Sequence, residues 1–384
     1  MINKHLAICC EMNTPPPRKN AEAGLYVGLM SGTSLDGVDA VLVDFGTHPL
    51  KLIAAHYLPY SRHLSARLLA LQVMGDNELH HAALLGIEIA HLYHQAIDAL
   101  LQGACVMAES VVAIGCHGQT VRHCPKDGYT LQLGNPALLA ELSGISVIAD
   151  FRSRDIAAGG QGAPLVPAFH EALFRSPDVH RVILNIGGIA NVTDLRPGSI
   201  TKGFDTGPGN MLLDAWVQRH TGRTFDEGGK WASQGCIIPR LLNALLAHPF
   251  FACTPPKSCG REQFNLDWLM SRLEGSEAPE DVQATLLELT SISIISAIEH
   301  WCGNPHELAV CGGGAHNMAL MKRLAAHLPH SRVFTSDTLG IDADWVEAVA
   351  FAWMARQTKL GLPGNLPGVT GAKGARILGA IYPS

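Results

Sequence analysis

The stretch that decides the fold is Leu25-Tyr26-Val27-Gly28-Leu29-Met30-Ser31-Gly32-Thr33-Ser34-Leu35-Asp36-Gly37-Val38-Asp39-Ala40-Val41-Leu42-Val43-Asp44-Phe45. Both ends are runs of aliphatic and aromatic residues, and Ser31 to Gly37 between them holds two glycines, three hydroxyls and one carboxylate. Strand, polar turn and strand predict a long β-hairpin. In the returning strand Asp39, Val41 and Val43 alternate with Val38, Ala40 and Leu42, which gives one wetter face.

The turn of this hairpin is the first candidate site. Glycines let backbone N–H groups approach anionic oxygens, hydroxyls donate further bonds, and Asp36 is suited to hold Mg²⁺ through water. An ordinary polar hairpin loop has the same composition, and the run is no Walker loop, so composition alone leaves both readings open.

Working outward, a second unit of this kind follows at Arg181-Val182-Ile183-Leu184-Asn185-Ile186-Gly187-Gly188-Ile189-Ala190-Asn191-Val192-Thr193. One hairpin in each half suggests an ancient duplication. Each half also supplies a later apolar strand, Val111 to Gly115 in the first and Leu308 to Cys311 in the second. Helical periodicity runs over Leu84–Leu101, Asn210–His220, Val282–Trp301, Asn317–Leu328 and Asp344–Leu360. Mixed strands and helices imply α/β lobes. The break between them is expected near Asp150–Gly162, where a charged run meets Ala157-Ala158-Gly159-Gly160-Gln161-Gly162, and the tail after Gly361-Leu362-Pro363-Gly364 is expected to return to the first lobe.

Composition narrows the class. With 384 residues and 47% hydrophobic content the chain can bury a large core, which favours a two-lobed globular enzyme. Only 16% of residues are charged and the formal net charge is −6, so no positive field gathers nucleic acid or an anionic membrane. Ten cysteines, several inside apolar runs as Cys116 and Cys311 are, read as reduced, buried thiols. Residues 1–24, with Cys9-Cys10 and Pro15-Pro16-Pro17, lack periodicity and read as a flexible extension; Leu6-Ala7-Ile8 is too short for a secretion signal. No apolar run approaches the ~20 residues of a membrane span.

Three further constellations carry chemistry. Gly187-Gly188 and Gly312-Gly313-Gly314 each follow an apolar strand, and the latter opens a helix at Asn317. They fit backbone passing close to a nucleotide, as they fit tight connections. Asp205, in Gly203-Phe204-Asp205-Thr206-Gly207-Pro208-Gly209-Asn210, reads as lying in an irregular loop before a helix. It is a candidate general base, since Asn210 stands closer to the helix start for capping. Rival motifs are incomplete. His170-Glu171 has Phe174 where a zinc protease helix needs its second histidine; Cys116-His117 and His123-Cys124 flank what looks like a polar strand end; Gly229-Lys230 lacks the next hydroxyl of a Walker loop.

Assembled, these segments resemble the anhydro-N-acetylmuramic acid kinases of the acetate and sugar kinase, actin-like ATPase superfamily. The resemblance covers residues 25 to 383. It rests on Gly28 to Asp39, Cys116-His117-Gly118-Gln119-Thr120, Gly159 to Pro167, Asn185-Ile186-Gly187-Gly188, Asp205 to Asn210 and Cys311-Gly312-Gly313-Gly314. It implies a two-lobed actin-like ATPase (ribonuclease H-like) α/β fold with an interlobe cleft. The first lobe would take residues 25–152 and about 367–384, and the second 153–366.

The resemblance further implies that ATP, water and 1,6-anhydro-N-acetylmuramic acid give ADP and N-acetylmuramic acid 6-phosphate, within cytoplasmic cell-wall recycling. Gly32, Thr33, Ser34, Leu35, Asp36, Gly37, Val38 and Asp39 would then form the ATP phosphate turn, with Mg²⁺ bridging the phosphates. Asp205 would deprotonate a water attacking the anomeric carbon, because an anhydro bond leaves no free 6-hydroxyl to deprotonate. Arg154 would suit the lactyl carboxylate and Glu347 a sugar hydroxyl. Two departures from the family's pattern stand at Ser153, where arginine is usual, and at Gly228, where aspartate is usual.

Two rivals belong to other classes. An actin-like ATP-driven binding protein shares the fold but has no need of the Asp205 base. A sugar-responsive repressor needs a helix-turn-helix that residues 1–24 are too short to supply, and the acidic balance disfavours DNA. The expected partners are a small sugar and a second copy in a homodimer, with neither nucleic acid nor membrane.

Overall fold

The computed structural model describes residues 20–384 apart from Thr33. The expected N-terminal extension over residues 1–24, with Cys9 and Cys10, therefore lies almost wholly outside the described residues, as does Thr33 of the first turn.

Strands β1 (Leu25–Ser31) and β2 (Gly37–Asp44) form the hairpin that opens the chain, and β3 (Lys51–Pro59) continues it antiparallel. Strand β4 (Val111–Cys124) returns parallel to β1, β5 (Tyr129–Leu133) folds back on it, and β6 (Val147–Ala149) pairs parallel with it. The second half repeats the plan. Strands β7 (Arg181–Ile186), β8 (Ile189–Leu195) and β9 (Lys202–Pro208) form an antiparallel meander, with β10 (Glu307–Cys311) and β11 (Arg332–Thr335) added in parallel beside β7. The core orders β3-β2-β1-β4-β6 and β9-β8-β7-β10-β11 are the same path with the same directions. This repeat is the two-lobed actin-like ATPase plan, and it makes the hairpin in each half a matched pair. The last strand, β12 (Ala380–Tyr382), pairs antiparallel with β6 and closes the chain on the first sheet.

Side-chain alternation sets the layers. Val27 and Leu29 of β1 face one way, into a core shared with Leu85, Ile89 and Tyr93 of the helix Glu78–Ala104. Tyr26 and Met30 face the other way, into a core shared with Phe351 of the helix Val346–Leu360. That helix lies within the span expected for the second lobe, yet it rests directly on the first sheet: a Cβ at Gly28 would meet Ala348 O at 2.0 Å and one at Gly115 would meet Phe351 O at 2.0 Å. The two glycines permit an approach that no side chain would allow.

Against the expectation that no apolar run approaches the length of a membrane span, the helical run Pro279–Cys302 is 24 residues long and apolar enough to cross a bilayer by length and composition. Its positions are mostly buried inside the second lobe, where Val282, Leu286 and Leu289 join the core. Its buried Thr285 and Thr290 hydroxyls are satisfied within the protein, as burial in a large core requires.

Between the sheets runs the segment 150–162, expected as the break and found as a short helix, Ser153–Ala157, followed by tight turns. Asp155 within it is fully buried and accepts three hydrogen bonds, from Asn365 Nδ2 at 2.6 Å, Thr370 Oγ1 at 2.7 Å and the Gly162 amide at 2.8 Å. A buried carboxylate needs donors of this kind. Here they tie the connecting segment to residues 365–376.

Candidate active site

Asp205 lies on a strand, β9, where the sequence suggests an irregular loop. Gly203 and Gly207, which break the apolar pattern, are needed for packing: a Cβ at Gly203 would meet Pro167 Cγ at 2.8 Å and one at Gly207 would meet Phe251 Cε1 at 2.8 Å. The register against β8 slips between Ala190 and Asn191, so that Asn191 opposes Asp205 and Ala190 opposes Gly207. Such a bulge re-aims a side chain.

The half-buried Asp205 carboxyl is pushed up to about 7, chiefly by burial, against the pull of the Cys259 amide and the Lys257 ammonium. The Cys259 N–H donates to Oδ2 at 3.0 Å, and the Asp205 N–H donates to Lys257 O at 3.1 Å. Oδ1 accepts no hydrogen bond among the described residues. A carboxylate near its midpoint at neutral pH, with one oxygen held, is suited to take and return a proton.

The second glycine turn and the residues after Asp205 interlock. Gly188 O accepts from the Gly209 amide at 2.9 Å, Gly187 O accepts from the Asn210 amide at 2.8 Å, and Asn210 Nδ2 donates to Ile186 O at 3.2 Å. Asn210 thus secures the turn instead of capping its helix, Met211–Thr221. At the third turn Gly312, at φ 78°, and Gly314 pack against Asn185 and Ile186. Gly313 is exposed, and a Cβ there would lie 3.8 Å from Asn210 Nδ2. Gly187, Gly188, Asn210 and Gly313 therefore converge at one end of the second sheet.

The β1–β2 turn lies near enough for the Asp36 charge to act on Asp214 and Arg261 of the second half. Ser34 Oγ donates to Asp36 Oδ1 at 2.7 Å, while Asp36 O accepts from Tyr57 Oη at 2.9 Å and the Tyr60 amide at 2.8 Å. Leu35 and Val38 are buried in the first-lobe core, so they can meet a ligand only through their backbone. Asp39 is pushed up to about 7 by burial and by the nearby Asp36, Glu347 and Asp344 charges. Asp214, on the second-lobe helix, is likewise pushed up to about 7 by burial, Asp36 and Asp226, with Arg261 opposing. Carboxylates from both lobes thus act on one another. A cation would relieve that repulsion, although among the described residues no three metal-ligating side chains are grouped around one point. A divalent ion here fits only as one held largely by phosphate oxygens and water, with Asp36 in outer contact.

Glu347 is raised by burial and drawn back down by Arg152 and by a hydrogen bond with Asn185. The resemblance places both Arg154 and Glu347 in the sugar pocket; the guanidinium whose charge acts on Glu347 is that of Arg152. The Arg152 guanidinium donates to His117 Nε2 at 2.9 Å and to Gly162 O at 2.8 Å, and His117 Nδ1 donates to Ser31 O at 3.2 Å. His117 is therefore neutral, held well below its usual range by burial and by Arg152. With both ring nitrogens engaged it has none for zinc. Arg154 is exposed and lines a different hollow, with Asp150, Ser153, Ile377, Gly379 and Ala380. Gln119, missed by the sequence reading although it lies in a quoted motif, is fully buried and donates to Gly32 O at 3.0 Å, bracing the turn. His170 is buried beside Thr193, its Nδ1 2.9 Å from Oγ1, and takes no part in the site. Gly228 adopts φ 65°, a conformation that favours glycine over the usual aspartate.

The family model described as anhydro-N-acetylmuramic acid kinase matches residues 24–384. A relative of that name from Thiobacillus denitrificans is 58% identical, over 94% of this chain and 98% of its own length. Another from Nitrosomonas europaea is 56% identical, over 94% and 99%. Among solved structures, component A of the (R)-2-hydroxyglutaryl-CoA dehydratase of Acidaminococcus fermentans aligns at 13% identity and TM-score 0.49, covering 88% of this chain and 100% of that one. A ROK family glucokinase from Streptomyces griseus aligns at 13% and 0.40, covering 87% and 100%, and both likenesses are too loose to bear on chemistry. Identity above one half along nearly the whole of each relative leaves one conclusion: the chain belongs to the anhydro-N-acetylmuramic acid kinase family and is a kinase.

Proposed function

We propose that the chain uses ATP to open 1,6-anhydro-N-acetylmuramic acid hydrolytically and to phosphorylate the O6 released, giving N-acetylmuramic acid 6-phosphate and ADP. The observation that carries this reading is Asp205, a carboxyl with one oxygen held by the Cys259 amide, the other without a donor among the described residues, and pushed up to about 7 by burial. Asp205 takes a proton from water as the water oxygen bonds to C1 and the C1–O6 bond breaks. O6 then takes the γ-phosphoryl group as its bond to the β-phosphate oxygen breaks, and the proton on Asp205 passes to solvent.

The backbone of Gly32–Asp39, with Thr33 and Ser34 hydroxyls, is assigned to the phosphates, Gly187-Gly188 to their second side, and Gly312–Gly314 to the nucleoside. Asp36 would hold Mg²⁺ through water, and the bound ion would supply the charge neutralisation that phosphoryl transfer requires. Glu347 is assigned to a sugar hydroxyl; Arg154 is assigned to the lactyl carboxylate by the family resemblance alone. The same reading makes the protein a cytoplasmic member of peptidoglycan recycling, acting as a homodimer, with no nucleic acid or membrane partner. The lobe division at 25–152 with 367–384 against 153–366 belongs to it too, with the helix Val346–Leu360 on the first sheet.

ADP release by the wild type and by Asp205→Asn, measured with the anhydro sugar in ¹⁸O-labelled water, tests the reading. Sugar-dependent turnover that places ¹⁸O on C1 and collapses in the variant supports it. Turnover without sugar, unaffected by the substitution, replaces it with the actin-like switch.

A further inference from the structure

The loop that carries Cys259 also carries Lys257, whose side chain has no part in the chemistry above, and it closes on Asp205 from two sides. The Cys259 amide holds Oδ2 at 3.0 Å, and Lys257 O receives the Asp205 amide at 3.1 Å. The Lys257 side chain is itself anchored: Nζ donates to Phe250 O at 3.3 Å and Phe251 O at 3.4 Å and lies 4.6 Å from the Phe250 ring centroid. An ammonium fixed at three points is a stationary charge, unlike a surface lysine that samples water.

From this geometry we infer that Lys257 is a positioning residue for the general base, fixing the loop whose Cys259 amide orients the Asp205 carboxylate and holding a stationary ammonium on that loop. The inference rests on the reading of Asp205 as the base. Of the groups that face Asp205, Lys257 is the charged one; the Cys259 thiol is kept protonated by burial, and Asn191, opposite on β8, is neutral. Glu262 acts on Cys259 from further along the same loop. Without the ammonium, burial goes unopposed except by the amide, and the carboxyl titrates at higher pH.

Lys257→Gln retains an N–H donor for the two carbonyls and removes the charge, whereas Lys257→Arg retains the charge. The measurement is kcat/KM for the anhydro sugar against pH, for wild type and both variants. In Lys257→Gln the acidic limb should move to higher pH, so that activity falls up to about tenfold at acid pH for each unit of displacement and rejoins the wild type at alkaline pH. Lys257→Arg should restore the limb. A ¹³C-carboxyl titration of Asp205 in ligand-free wild type and Lys257→Gln protein should show the same displacement without turnover. A limb that stays in place in Lys257→Gln, or a loss equal at every pH, overturns the inference while leaving Asp205 as the base. Full activity in Asp205→Asn overturns the base reading itself.

Discussion

At the scale of single residues, Asp205, the proposed base, carries a charge that burial makes costly to the fold. Its carboxyl is raised from an ordinary 3.8 to about 7, so the ionised form is disfavoured in the folded protein. The sign follows: the protonated group is compatible with the fold at low pH, and that contribution to stability is lost as pH rises from about 3.8 through about 7. Asp205→Asn should therefore raise the urea midpoint at pH 8 and change it little at pH 4, a difference that denaturation at the two pH values measures. The same substitution should lower kcat by about 10²- to 10⁴-fold, the usual worth of a positioned base. In the wild type, kcat/KM should fall as pH drops through about 7, because the carboxylate is the competent form.

At the scale of elements, two glycines with opposite environments give opposite expectations. Gly115 on β4 would place a Cβ 2.0 Å from Phe351 O, a backbone atom that no rotamer change can move. Gly115→Ala should push the helix Val346–Leu360 off the first sheet, cost about 3 kcal/mol or more by chemical denaturation, and shift Glu347 on that helix. Gly103 lies inside the helix Glu78–Ala104, and a Cβ there would meet nothing within 4 Å. Gly103→Ala should stabilise the protein by about 0.5–1 kcal/mol through helix propensity alone. Opposite signs from the same chemical change would tie the first effect to packing.

The whole molecule is two copies of one sheet plan joined by connecting segments, and Asp155 fastens those segments together. It joins residues 210 and 215 positions apart in sequence, Asn365 and Thr370, while also accepting the Gly162 amide. Asp155→Ala would leave these buried donors without an acceptor, and each such group costs about 1–3 kcal/mol. A loss of about 3 kcal/mol in equilibrium urea unfolding is expected, with Asp155→Asn recovering only part of it because an amide nitrogen cannot accept. An unchanged midpoint in Asp155→Ala would show that the lobes are held by their other contacts.

The hairpin of β1 and β2, the three glycine turns and the family were legible in the chain itself, because each is written in consecutive residues: apolar alternation, then glycines and hydroxyls at the strand end. Five helices were legible for the same reason: Glu78–Ala104 is longer than its periodic stretch at both ends, while Met318–His327 and Val346–Leu360 are slightly shorter. Asp205 was recognised as chemically special, but its strand was not, since Gly203 and Gly207 carry no strand signal until Pro167 and Phe251 pack against them. Tertiary structure alone decided that the helix Val346–Leu360 covers the first sheet, that the Arg152 charge acts on Glu347, and that an amide 54 positions away holds the Asp205 carboxylate. The physical reason is common to all three. A local pattern constrains backbone conformation and the buried face, whereas the partner of a backbone N–H or a guanidinium is chosen by which distant segments the core brings together.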